Sequence, residues 1–477
     1  MNRRQFVCSL AAVAPSIANW PPLRDRVHGG RGVFDRISVK DFGARGDGIN
    51  DDTRAFRRAL ERANNSGSTV IVPNGRYVIS DTLKIGSGVR FEGEGTTAVI
   101  SYRGINPIPV YCLDATAVGV ANLIIEGKFS FGLLVQRSSK VSVTGCAIRG
   151  GNVRWQPSGF CGGIFVSESD SISIQHNDLE SNGFIGGGVL SADIQVNGFG
   201  RSVSSAGIRI AGNRCRSVST QCSIAAYDVH GAEIVDNVCS GAKTGHGNNN
   251  GYGILIYERP ESPQSCYDNT VVGNEISNTE GSGIYLQRSQ RSRVSRNTLS
   301  DVALIQTDET LPVAAIALNQ SEYAHIQSNT ITRVGRAGIS IASNRPNVGH
   351  VEVTHNSIVG AGGIGIHLRG LLVDIAVVEN LIRQSAGGIC SISDDHQQRI
   401  VISRNTVFAP ARRNPGILLR NATESSVHGN VVNDASGYGI DLVFRDLASH
   451  ARDNIVTRTD SSPAFEDVRV TRKVQSR

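Results

Sequence analysis

The sequence predicts an all-β fold: a single-stranded right-handed parallel β-helix, closed near its N-terminus by a short amphipathic helix. Three observations predict it. An asparagine-centred motif recurs through most of the chain, and a Gly-Ile pair recurs between the asparagines. Glycine is abundant while methionine and aromatic residues are scarce, with 53 Gly, one Met and 5% aromatics. Coiled repeats grow along one axis without enlarging a single core, so 477 residues need not divide into several domains.

The first 18 residues have the form of an export peptide. Arg3-Arg4 and Phe6 precede a short apolar stretch, Leu10 to Ala14, and small residues follow to Ala18. The paired arginines resemble a twin-arginine signal, which implies a periplasmic or secreted bacterial protein. Loss of this segment removes Arg3 and Arg4 as its only charged side chains, so the formal charge falls from +6 to +4. It also removes Cys8 and leaves eight cysteines, none in a CxxC pair or with zinc-ligand spacing. No apolar run approaches the ~20 residues a membrane-spanning helix needs.

Residues 19–36 read as a polar linker, and residues 37–117 as the cap and first coils. Within the cap, Ala55, Phe56, Ala59, Leu60 and Ala63 recur at helical spacing. Asp51 or Asp52 can begin that helix and Gly67 can end it. Thr69 to Ile79 then reads as two short strands about a Pro73-Asn74-Gly75 turn. A stack of strands has an apolar end that must be covered, and an amphipathic helix suits that task.

Residues 118–458 carry the repeat, and 459–477 read as a polar tail. The motif is a β-branched residue, two residues, Asn, one residue, then an apolar one: Ile174…Asn177…Leu179, Ile210…Asn213…Cys215, and so on to Val427…Asn430…Val432. Asn122 and Gly145 read as weaker early copies. Stacking coils places Asn on Asn and Ile on Ile, so amides one strand spacing apart can bond along the stack. Twelve spacings of ~4.8 Å from Asn122 to Asn454 give a stack of about 58 Å. Cys215 and Cys239 occupy neighbouring inward places and read as a buried thiol stack.

The block Val39-Lys40-Asp41-Phe42-Gly43-Ala44-Arg45-Gly46-Asp47-Gly48, with Asp51-Asp52-Thr53 and Val72-Pro73-Asn74-Gly75-Arg76-Tyr77, resembles the opening of the pectate-lyase-like superfamily. That group includes rhamnogalacturonases, polygalacturonase-type hydrolases, uronan lyases, C5-epimerases and phage tailspikes. The resemblance implies a right-handed β-helix that engages polysaccharide, without choosing the reaction.

Side chains alternate along a strand, so the first and third residues after the Ile of each Gly-Ile pair should face outward. Those columns supply Tyr227, Tyr257, Tyr285, Gln287, Asn319, His367 and Arg369, and the following turn supplies Asp228, Glu258 and Arg288. Tyrosine faces suit sugar rings and arginine forks suit carboxylates. Asp228 and Glu258 should lie about one strand spacing, ~5 Å, apart, which would raise one of their pKa values. The segment Tyr227-Asp228-Val229-His230 resembles the Asp-Pro-His region of alginate C5-epimerases, with Val229 in place of Pro.

The expected catalytic set is therefore Asp228, His230, Glu258, Tyr227 and His246. Substrate binding is expected from Tyr257, Arg259, Tyr285, Gln287, Arg288, Asn319, His367 and Arg369. Lyase or epimerase chemistry on an acidic polysaccharide follows, with a neutral His or Tyr removing a proton beside a carboxylate that Arg259 or Arg288 holds. Gly245-His246-Gly247 resembles the Gly-His-Gly of polygalacturonases and supports the alternative, a hydrolase; a non-catalytic glycan-binding module is a third class. Polysaccharide is the expected partner, of a monomer that neither spans a membrane nor binds nucleic acid. No metal ligands stand out, and Ca²⁺ is left open as the one cofactor.

Overall fold

The computed structural model describes residues 35–151, 153, 161–180, 191–198, 205–216, 221–243, 251–305, 312–391, 395–408, 415–434, 438–457 and 468–473. Within them the chain winds as a parallel β-solenoid in which each coil lays down three short strands. The coil around residue 254 shows the order: Tyr252–Tyr257 on a first face, Thr270–Val272 on a second and Glu275–Ser277 on a third. Each strand pairs in parallel with its counterpart in the next coil, so Ile254 stacks on Ile284, Val271 on Val294 and Ile276 on Leu299. The third face holds 16 strands. Their 15 spacings at ~4.8 Å make a stack of about 72 Å, longer than the asparagines alone suggest because the capped first coils precede them.

The bore is filled by the β-branched and leucine positions of the motif, with Ile254, Ile256, Val271 and Ile276 each fully buried. The Gly-Ile pair has a steric cause. At Gly253 a Cβ would lie 2.4 Å from the Ile276 side chain, and at Gly365 it would lie 2.6 Å from Ile382, so the third face's core residue occupies that corner. The asparagines form the expected ladder between the second and third faces. From Asn177 to Asn454, each side-chain amide donates to the carbonyl oxygen of the next at 2.9–3.0 Å. Asn122 and Gly145 are not its early members. Register pairs Ile124 with Ala147 and Ala147 with Asp178, which puts Leu123 and Cys146 at the asparagine position. Asn122 and Gly145 each stand one residue earlier, in left-handed corner geometry at φ 55° and 67°.

Left-handed residues of this kind turn the corners throughout, among them Asp114, Arg137, Asp228 and Arg288. Stacked corners also set charge on charge, as in Arg291 with Asp268 and Arg333 with Asp301. The helix Thr53–Ser66 covers the end of the bore with Phe56, Ala59, Leu60 and Ala63, each at most 2% exposed. Phe56 meets Tyr77 and Phe91 edge-on at 5.2 and 6.1 Å. Asp52 stands at the N-cap but its side chain makes no capping bond; Asp51, one residue earlier, accepts from the Thr53 amide at 2.9 Å. Asp52 instead accepts from the amides of Arg45 and Gly46, fixing the loop before it. Cys215 and Cys239 stack in register as buried free thiols.

Candidate functional site

The outward side of the first face forms two straight columns because its strands are in register. One runs Phe165, Gln195, Ala225, Leu255, Tyr285, Ala317, Ser340, His367 and Cys390. The other runs Asn197, Tyr227, Tyr257, Gln287, Asn319, Ala342 and Arg369. The expected outward direction is therefore present, but exposure is uneven. Tyr227, Tyr252, Leu255 and Tyr285 are 3–7% exposed and form an apolar cluster of their own outside the bore. From Tyr257 onward the second column is open, with Gln287, Asn319, Ala342 and Arg369 half-buried.

Asp228 and Glu258 do not lie on that open surface. Asp228 is fully buried and Glu258 is 6% exposed, because the segment after Glu258 folds over the Asp228 corner. The Asp228 carboxylate accepts from the Arg259 amide at 2.9 Å and the Ser265 hydroxyl at 3.0 Å. The Arg259 guanidinium stands 3.4 Å from its other oxygen. Glu258 accepts from the Ser265 amide at 3.1 Å. Burial raises both carboxyl pKa values; the Arg259 charge opposes the rise at Asp228, and the neighbouring Asp228 charge adds a smaller part at Glu258. Proximity of the two acids is thus the lesser cause. In this structure the pair fastens a loop, and Asp228 has no surface through which to touch a polysaccharide.

Tyr227 is shielded as well, packed at 5.8 Å against Tyr257 and beneath Arg259, whose guanidinium carbon is 5.4 Å from the ring centre. Arg259 is only 7% exposed, which leaves little of its surface for the substrate clamp expected of it. His230 lies past the corner on a separate small ladder, where Val229–His230 pairs with Ser205–Ala206. Its ring stacks on Tyr267 at 4.8 Å. His246 and the rest of Gly245-His246-Gly247 lie outside the described residues.

The groups further along the columns are arranged differently. The Tyr285 hydroxyl donates to Gln287 at 3.0 Å and accepts from the Asn319 amide at 3.1 Å, and burial lifts its pKa to about 12. Arg288 donates to Gln320 at 3.1 Å. Burial, aided by the Arg369 charge, holds His367 down at about 4, so its imidazole is neutral at neutral pH. Among the described residues no three His, Cys, Asp or Glu side chains converge as metal ligands, so no described group fits the Ca²⁺ left open by the sequence.

Sequence reasoning missed Gln195, Asn197 and Ser340, which share the two columns. Gln195 and Asn197 escaped because Asp193-Ile194 replaces the Gly-Ile marker in that strand. Column counting from Ile339 reaches Ser340, but a lone serine gives no signal of its own.

A stacked three-faced solenoid with an asparagine ladder defines a parallel β-helix protein. The chain belongs to the right-handed β-helix family, whose model matches residues 194–382 and 314–463, more than half of its length. Residues 36–106 match a second model, described as rhamnogalacturonase A/epimerase, pectate lyase-like. Among individual relatives, a polygalacturonase of Persea americana is 48% identical over 64 residues, 13% of this chain and 14% of that protein. The pre-neck appendage protein of Bacillus phage phi29 is 43% identical over 67 residues, 14% of this chain and 7% of that protein. Among solved structures, tailspike protein 3 of bacteriophage CBA120 has a TM-score of 0.51 at 13% identity, covering 91% of this chain and 61% of the other. The Agl-KA catalytic domain has a TM-score of 0.50 at 14% identity, covering 90% and 69%. Both structural likenesses are of fold.

Proposed function

We propose that the chain acts on an acidic, uronate-containing polysaccharide by lyase or C5-epimerase chemistry, along the open outward side of the first face. The observation that carries this is a contrast in how arginines are engaged. On the corners they meet carboxylates of the adjacent coil, as in Arg291–Asp268, Arg333–Asp301, Arg399–Asp374 and Arg404–Glu379. On the open face Arg288, Arg369 and Arg420 stand half-buried, Arg288 donating to the Gln320 side chain and Arg369 lying beside the neutral His367. Guanidinium forks on an open face match carboxylates on a ligand. Tyr257 offers a half-exposed ring to a sugar face.

Within this reading Asp228, Glu258 and Arg259 are positioning residues that hold the segment beside Tyr257. Proton transfer falls to open groups, of which His367 is neutral at working pH and able to accept. Fold alone does not select the chemistry. The family description naming rhamnogalacturonase and epimerase, and the polygalacturonase likeness, support a carbohydrate substrate. Residues 1–18 are proposed to export the chain to the periplasm or beyond.

A panel of purified polysaccharides tests the reading. New ultraviolet absorbance identifies a lyase, and altered anomeric signals alone an epimerase. Reducing ends without absorbance identify a hydrolase and overturn the chemistry proposed. Binding without turnover leaves a glycan-binding module, and silence across acidic glycans defeats the reading altogether.

A further inference from the structure

The capped end of the stack holds two side chains in water for which the fold gives no reason. Ile105 is 99% exposed and Ile49 is 79% exposed, the two most open large apolar residues among those described. Neither sits on a slack segment. The Asp47 carboxylate accepts from the Ile49 and Asn50 amides, both at 2.9 Å, and the Tyr102 hydroxyl donates to the Asn106 carbonyl at 2.6 Å. The two loops are also tied to each other, since the Arg103 guanidinium donates to the Gly48 carbonyl at 3.4 Å. Beside Ile105, Asn106 bonds Asp81, which in turn pairs with Arg57 of the cap helix Thr53–Ser66. A continuous line of bonded residues thus joins Ile49, Ile105 and the helix.

The apolar side of that helix covers the bore, so its other side faces away from the stack. That side carries Arg54, Arg57, Arg58 and Arg62 against one acid, Glu61, and all five are exposed. Arg54, Arg57 and Arg58 line an open depression of about 420 Å³ together with Asp51 and Glu61. Asp51 is engaged within the protein, accepting from the Thr53 amide and hydroxyl and from the Ser80 hydroxyl. Arg103 adds an exposed cation two residues before Ile105. Sugar rings pack on open aromatic faces, and the tyrosines of these coils, Tyr77 and Tyr102, are buried. Guanidinium forks flanked by protruding aliphatic tips instead match a phospholipid surface, where forks meet phosphates and tips enter the acyl boundary.

We propose that the capped end docks on an anionic phospholipid bilayer, with Arg54, Arg58 and Arg103 at headgroup phosphates and Ile49 and Ile105 inserted among the lipids. The helix rests on this surface without entering it, because Phe56, Ala59, Leu60 and Ala63 are already packed over the bore. The contact uses none of the residues assigned to the glycan and stands whether or not that reading does.

The test is tryptophan fluorescence of the full-length chain bearing Ile105→Trp, titrated with brominated vesicles of mixed phosphatidylglycerol and phosphatidylcholine. Trp20 and Trp155 supply a background that is measured on the wild type. The introduced ring should shift to the blue and be quenched. The same ring in Leu447→Trp, at an exposed position in the last coils, should do neither. Vesicles of phosphatidylcholine alone should be bound at least tenfold more weakly. With Ile105→Trp in place, Arg54→Gln/Arg58→Gln should weaken the titration about tenfold or more, since each arginine at an anionic surface is worth about fivefold. Ile49→Ser should weaken it about threefold or more. Vesicle binding that leaves the ring at position 105 unquenched, as attachment through residues 1–18 would, overturns the proposal. So does quenching that survives both sets of substitutions. Capture by polygalacturonate that Arg54→Gln/Arg58→Gln abolishes, with no response to vesicles, would give this surface to a glycan and overturn the bilayer.

Discussion

Removing one interior asparagine should cost far more than removing the last one. The Asn329 side chain makes four hydrogen bonds in a site 1% exposed. Its amide donates to the Val294 carbonyl at 3.1 Å and to Asn356 at 2.9 Å. Its oxygen accepts from the Asn297 backbone and side-chain amides, both at 3.0 Å. Asn329→Ala therefore strands one backbone carbonyl and one backbone N–H inside the stack, and leaves two further amides each short of a bond. At ~1–3 kcal/mol for each orphaned buried group, the two backbone groups alone give ~2–6 kcal/mol. Asn454 ends the ladder half-buried, where water can replace its partners, so Asn454→Ala should cost about 1 kcal/mol. Urea unfolding followed by circular dichroism measures both. The double variant Asn297→Ala/Asn329→Ala should lose less than the sum of the singles, because some groups orphaned by one change are deleted by the other. A loss below 1 kcal/mol at Asn329, or equal losses at Asn329 and Asn454, would refute the ladder's role.

Three further outcomes follow from other parts of the molecule. Phe56→Ala removes the largest side chain that the helix sets over the bore, and should cost ~3–5 kcal/mol in the same assay. Because His367 is held at about 4 against an ordinary 6.5, its contribution to stability is full above about pH 6.5 and is lost as pH falls through about 4. His367→Gln should flatten that part of the stability profile, and an unchanged profile would show that the imidazole is not buried as described. Replacing Arg3 and Arg4 with lysines should retain the precursor in the cytoplasm, as cell fractionation would reveal; unchanged export would point to a general secretory signal.

Most of the fold was legible because one physical rule repeats. Stacked amides and stacked β-branched residues leave a marker in every coil, and the Gly-Ile pair records a corner too tight for a Cβ. The first coils were harder, since Leu123 and Cys146 stand where asparagine stands later, Leu123 packing in the bore and Cys146 making long thiol contacts to the Val120 and Thr144 carbonyls at 3.8 and 3.7 Å. The candidate site was legible in direction but not in depth. Alternation identified Tyr227, Tyr257, Tyr285, His367 and Arg369 as outward, yet it does not reveal which outward residues another segment covers. Asp228 shows why: its carboxylate is enclosed by residues 31 and 37 positions further along, a packing with no local signature.

The central claim is that the open arginines of the first face, rather than basic charge in general, hold an acidic glycan. It is tested most directly by isothermal titration of two triple variants against the acidic polysaccharide that the panel identifies. One replaces Arg288, Arg369 and Arg420 with glutamine; the other replaces Arg291, Arg333 and Arg404, which pair with carboxylates on the corners. Both lose three positive charges. The account predicts that the first variant loses at least tenfold in affinity while the second stays within about twofold of the wild type. Equal losses in the two, or a larger loss in the corner variant, would contradict it.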